Sequence, residues 1–141
     1  MKPLNFAISL LLVLSCSSLR AQSAKMQASI PFDFYAGKTL MSAGDYEVDY
    51  SASGVLQFRG RNGVKSAAYF LTIPESRSVP PAPNASMGIL QFNHYGETYF
   101  LSQIWPARST TGGALPRSPR EKEIASRGTP VQTAGVLLST H

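Results

Sequence analysis

Two histidines, one cysteine and an alternating run of carboxylates are the groups in this 141-residue chain whose types and spacing could do chemistry. A Ser-His-Asp hydrolase needs an imidazole within reach of a hydroxyl and a carboxylate to orient it. The imidazoles are those of His94, beside a turn, and His141, the last residue, and no Gly-x-Ser-x-Gly elbow accompanies them. His94 is expected to make a local hydrogen bond at that turn. Asp45, Glu47 and Asp49 alternate along one segment, which puts three carboxylates on one face of a strand. Neighbours on such a face stand about 7 Å apart, too far for one strand to wrap a calcium that wants six or more oxygens. A solvated face paired with Arg59 or Arg61 across a hairpin is the expectation. Nothing in the spacing sets two carboxylates across one cleft, as glycoside hydrolysis requires. The single cysteine, Cys16, excludes disulfides and Cys-ligated zinc. These residues lead us to expect no enzyme, no metal and no cofactor.

Surface recognition is the remaining chemistry. Arg108, Arg117, Arg120, Lys122 and Arg127 gather in the last third of the chain against Glu121 and Glu123. Such a cluster suits phosphate or sulfate groups of envelope polymers, and it equally suits the solvated flank of a helix. Arg108, Arg117 and Arg120, with His94 and Tyr95 at a hairpin tip, are the candidate surface-binding residues. Asn84-Ala85-Ser86 matches the short N-glycosylation pattern, a weak motif. Apart from Phe6, every aromatic residue lies between Phe32 and Trp105. A small barrel with an unfilled interior could hold an apolar or amphipathic ligand there. The same aromatics are what a small core without disulfides needs.

The elements that must position these groups read as short strands. Met26, Ala28, Ile30, Phe32 and Phe34 alternate with polar residues, predicting a strand in which Pro31 demands a sheet edge or a bulge. Tyr46, Val48 and Tyr50 alternate with the three carboxylates, a turn over 51–54 comes next, and then a strand over 55–59. Asn62-Gly63 tolerates the positive φ of a tight turn and should lead into a strand from Val64 to Ile73. Residues 74–86 hold Pro74, Pro80, Pro81 and Pro83 and are expected to form the longest loop. Met87–His94 and Thr98–Trp105 form the clearest hairpin, with Tyr99, Leu101 and Trp105 on one face of its second strand and Phe100 and Ile104 on the other. A strand apolar on both faces should be central and covered on both sides.

Ser118-Pro119-Arg120-Glu121 is a helix start: Ser118 caps, Pro119 tolerates its missing donor, and Glu121 completes a capping box. The helix should run over 119–126, stop at Gly128 and touch the core only through Ile124 and Ala125. Val131 to Ser139 adds a last strand or remains a tail. The expected fold is all-β, an antiparallel β-sandwich or small β-barrel of six to eight short strands with a C-terminal surface helix. Its core is expected from residues 24–105, followed by a loop, helix and tail over 106–141.

Lys2, the apolar run from Phe6 to Leu14 and the small polar residues up to Ala24 form a secretory signal peptide, expected over 1–23. A membrane-spanning helix needs about 20 apolar residues, and this run stops near half of that. Ala21-Gln22-Ser23 suits a signal peptidase, while Val13-Leu14-Ser15-Cys16 resembles a lipobox that would anchor the chain by a lipidated Cys16. Without Lys2 and Arg20, eleven basic residues of the thirteen remain against eight acidic ones. That mild excess favours loose association with anionic envelope material and argues against nucleic acid as a partner. The expected location is periplasmic or extracellular, or a membrane-anchored lipoprotein.

The chain also resembles a family of short exported acidobacterial proteins of unassigned function. The likeness rests on Pro31-Phe32-Asp33-Phe34 with Gly37, on Ala43 to Val48, on Phe92 to Trp105, and on Leu115-Pro116-Arg117-Ser118 followed by Glu121. It covers most of residues 26–126. Family members often carry proline before Ala-Gly where this chain has Ser42, which loosens the turn. The resemblance implies a compartment and a fold and brings no catalytic residues. Together these readings predict an exported, non-enzymatic β-domain acting as a binding or structural module of the cell envelope, with an unknown envelope partner or small ligand. A carrier of an apolar small molecule is the alternative, and a hydrolase stands behind both.

Overall fold

The computed structural model describes residues 23–77 and 86–140. The expected signal peptide, the Cys16 lipobox, most of the proline-rich loop, Asn84-Ala85 of the glycosylation pattern and His141 lie outside the described residues. Among the described residues there are eleven strands and one helix: β1 (Ser23–Ile30), β2 (Phe34–Ala36), β3 (Thr39–Met41), β4 (Gly44–Ser51), β5 (Val55–Gly60), β6 (Ala67–Leu71), β7 (Ile73–Ser76), β8 (Met87–Tyr95), β9 (Thr98–Trp105), β10 (Thr111–Ala114), α1 (Pro119–Ser126) and β11 (Gln132–Thr140). The fold is all-β, as the alternation predicts, with more strands because several are short.

Hydrogen-bonded neighbours run β3-β2-β9-β8-β11-β1-β4-β5-β6, with β10 joining β9 to β7. The chain passes from β6 through Thr72 directly into β7, so the sheet curls round to β9 again and forms a nearly closed barrel. All pairings are antiparallel except β2 on β9, which is parallel at Tyr35 and Phe100. Sequence alternation fills the interior. Met26, Ile30, Phe34, Tyr46, Phe58 and Phe92 are almost completely buried, with Phe34 packed edge-on against Tyr46 and Phe92. The Tyr46 hydroxyl donates to the Ser42 carbonyl at 2.5 Å, and the Ala43 N–H donates to Asp33 at 2.8 Å. These two bonds hold the turn around Ser42 and Ala43.

Several expectations are corrected. The first strand ends at Ile30 and lies centrally between β4 and β11, because Pro31, with no N–H to continue the ladder, stands just beyond it. The single strand expected from Val64 to Ile73 is two, because at Thr72 the chain changes partner from β5 to β10. Thr72 gives both its N–H and its hydroxyl to the Gly54 carbonyl, at 2.9 and 2.8 Å. Pro74 belongs to β7 and pairs with Gly113. The final residues are no loose tail: β11 runs between β8 and β1, and Leu115, Val136 and Leu138 join a core expected to end at 105.

The β8–β9 hairpin contains a bulge that reassigns its faces. Gln91 pairs with Gln103 while Phe92 pairs with Leu101, leaving Ser102 without an opposite residue, its hydroxyl donating to the Gln91 carbonyl at 2.9 Å. One extra residue shifts the alternation, so Leu101 and Ile104 both enter the core, while Phe100 and Trp105 are buried outside it. Their cover is mixed, with Tyr35 and Tyr95 against Phe100 and with Arg77 and Gly112 against Trp105. Trp105 lies under the Arg77 guanidinium, 4.4 Å from the ring centre, and against Gly112 of β10. Its indole N–H donates to Gln103 at 3.0 Å.

Candidate functional site

Residues from β2, β8 and the start of α1 meet on the outside of one end of the barrel. The helix begins there because Ser118 caps it, accepting the Glu121 N–H at 3.2 Å, with Pro119 in the first turn. The expected capping box is half formed. The Glu121 side chain turns onto β8, where it accepts from Asn93 Nδ2 at 3.0 Å and from the Tyr95 hydroxyl at 3.1 Å. Arg117 Nε stands 3.9 Å from the same carboxylate oxygen. Glu121 is only 3% exposed, a charge made tolerable by two donors, a cation and the helix N-terminus. Burial pushes the Tyr95 hydroxyl above its ordinary value, and the Glu121 charge and the bond it accepts push the same way.

Beside this anchor is an open basic cleft. Arg120, the next helical residue, donates from Nη1 to the Tyr35 hydroxyl at 3.0 Å, with its guanidinium carbon 5.0 Å from the Tyr35 ring centre. Tyr35 in turn stacks on Phe100 at 5.3 Å. Tyr35, Gly37, Lys38, Ser118, Pro119 and Arg120 line a cleft of about 310 Å³ between the β2–β3 turn and the helix. Gly37 makes the turn with φ of 59°, which presents Lys38 at the rim. An aromatic wall and the two cations of Lys38 and Arg120 can receive an anionic group.

Of the residues picked from sequence, Tyr95, Arg117 and Arg120 are brought together through Glu121 and Tyr35. His94 is adjacent but turned elsewhere: its Nδ1 faces the Gly96 carbonyl at 3.2 Å, and its ring stacks on Tyr99 at 4.8 Å. That is the local bond expected of a turn-flanking histidine. Arg108 does not join them. It lies past the far end of β9, roughly 26 Å of strand away, with φ of 58°. Tyr35, Lys38, Asn93 and the central role of Glu121 escape sequence reasoning, since Tyr35 and Arg120 are 85 positions apart. The half-met capping box at Glu121 is the one local sign.

The carboxylates of β4 behave as a solvated face. Glu47 pairs with Arg59 across β5 at 3.4 Å, as the hairpin reading expects. Asp45 accepts from Ser29 at 2.7 Å and Asn62 at 2.8 Å, and these bonds hold its carboxyl below the usual range. Among the described residues, no three His, Cys, Asp or Glu side chains gather as metal ligands would. No described helix is long and apolar enough to cross a membrane. Comparison with models of known protein families, with curated proteins and with solved structures finds no match.

Proposed function

We propose that this chain is an exported, non-enzymatic β-barrel module that binds an anionic group of a cell-envelope partner. The observation carrying this reading is the division of labour in the barrel. The interior is occupied by Phe34, Tyr46, Phe58 and Phe92, so recognition falls to the outside. There the Tyr35–Lys38–Arg120 cleft offers cations beside an aromatic face. The filled interior favours surface binding over carriage of an apolar molecule. Export rests on the leader-like first 23 residues and on a body that has no cysteine.

The test is expression of the full chain with its own leader, cell fractionation and intact mass, native and then denatured. The reading expects recovery outside the cytoplasm with a mass starting near Ala24. A start at a lipidated Cys16 would make it a tethered form, and native mass lost on denaturation would move the reading to a carrier. The recovered protein is then passed over heparin, a generic polyanion. Retention that Lys38→Glu and Arg120→Glu abolish supports the cleft, and retention unchanged by both overturns it.

A further inference from the structure

Among the described residues, β3 and β6 are the two ends of the hydrogen-bonded path, and a seam in the barrel wall lies between them. The Gly60 N–H reaches Ser66 and the Thr72 N–H reaches Gly54, which fixes the parity of β6. Its even residues bond β5, so the N–H and C=O groups of Ala67, Tyr69 and Leu71 point into the seam. In β7 the same side of the chain is satisfied by β10, as shown by the Arg77 N–H donating to the Thr110 carbonyl at 2.8 Å. β10 would continue alongside β6, but after Ala114 the chain turns to β9, where the Leu115 N–H bonds the Ser102 carbonyl at 2.9 Å. Among the described residues no strand pairs with this edge of β6, which leaves a slot beside it.

Natural sheets guard such edges with lysine, proline or a bulge. The five residues of β6, Ala-Ala-Tyr-Phe-Leu, contain none. The apolar side chains it turns outward are the most exposed large ones described, Tyr69 at 69% and Leu71 at 76%, continued by Ile73 at 57%. Leu40 on β3, the opposite lip, is 58% exposed. Phe70 points inward and meets Gly37 of the β2–β3 turn, so the slot has a closed floor.

We infer that this seam takes an extended segment of a partner polypeptide, which adds as a strand to β6 with alternate apolar side chains on Tyr69, Leu71 and Leu40 and with acidic residues among them. The inference rests on the reading of the chain as a binding module and names its partner class. Backbone direction selects a strand, because only an extended chain presents N–H and C=O groups at the β6 repeat. Charge selects acidic residues: Lys38 sits on the turn that touches Phe70, Arg120 shares its cleft, and Lys65 lies two residues before β6. A second copy is disfavoured by the same cations, and its own β5 would arrive where β3 stands.

The probe is a phage-displayed library of random peptides of roughly ten residues, selected against the full recovered chain and counter-selected against Leu71→Glu. Leu71 is exposed, so this variant keeps its fold, which circular dichroism verifies; Tyr69→Glu is the second variant. Expected are peptides alternating apolar and acidic residues that bind both variants at least about tenfold more weakly. Their binding should slow amide hydrogen exchange at Ala67, Tyr69 and Leu71. No enrichment, equal binding to the variants, or binding without protection of those amides overturns the inference. A concentration-dependent dimer that Leu71→Glu dissolves gives the edge to a second copy and also overturns it. Heparin retention tests the basic cleft and amide protection tests the edge, so either reading can fail without the other.

Discussion

Glu121 shows how one side chain can be read correctly as to place and wrongly as to task. Its position three residues after Ser118 predicts a helix start, and the helix starts there. The carboxylate then leaves its own helix for Asn93 and Tyr95, residues no local pattern connects to it. Glu121→Ala would leave the buried Tyr95 hydroxyl and the half-buried Asn93 amide without their acceptor. We expect a loss of about 2 kcal/mol in urea unfolding, against a smaller loss for the isosteric Glu121→Gln.

The two displaced titrations give the protein an acid and an alkaline shoulder. Tyr95 is raised above 10.0, so the stability it contributes is complete below that value and is lost as pH rises through the higher folded value. Tyr95→Phe should flatten the alkaline arm of a thermal-unfolding profile. Asp45 is lowered below 3.8, so its contribution is present above that value and is lost as pH falls through the folded one. In Ser29→Ala the Asp45 carboxyl should titrate closer to 3.8, as followed by NMR.

At the scale of elements, period-two alternation located β4 and β5, because each turns one face inward along its length, and it also found β8 and β9 as a hairpin. It failed where pairing changes within a run. The break at Thr72 and the bulge at Ser102 are set by partners that are distant in sequence, and a shift of one residue exchanges the faces of every later residue in the strand. β10 carries a tight packing consequence. A Cβ on Gly112 would press on the Ile104 carbonyl and lie 2.8 Å from the Trp105 ring. Gly112→Ala should therefore cost about 2 kcal/mol, with the tryptophan fluorescence shifting red in the native state. Ser118→Ala should cost about 1 kcal/mol through the lost cap and should leave that fluorescence unchanged.

At the scale of the molecule, aromatic content announced a core but not its boundary. β11 has no aromatic residue, and its alternation of Ala134, Val136 and Leu138 is short and weak beside that of β8. Its place in the wall comes from two neighbours, β8 along most of its length and β1 at Met26 and Gln27. Deleting residues 132–141 should strip a strand from each of them and expose Leu90 and Met26. Loss of the cooperative thermal transition by circular dichroism is the expected result, and a truncated chain that melts as the full one does would refute it.

The adjacency of the first and last strands also sets an order of events. Met26 is paired with Thr140, so the wall joins the earliest described strand to the latest. A chain drawn through a narrow passage amino end first cannot complete its ring until its final nine-residue strand has come through. In that order of passage the joining of β11 to β8 and β1 would be the last step.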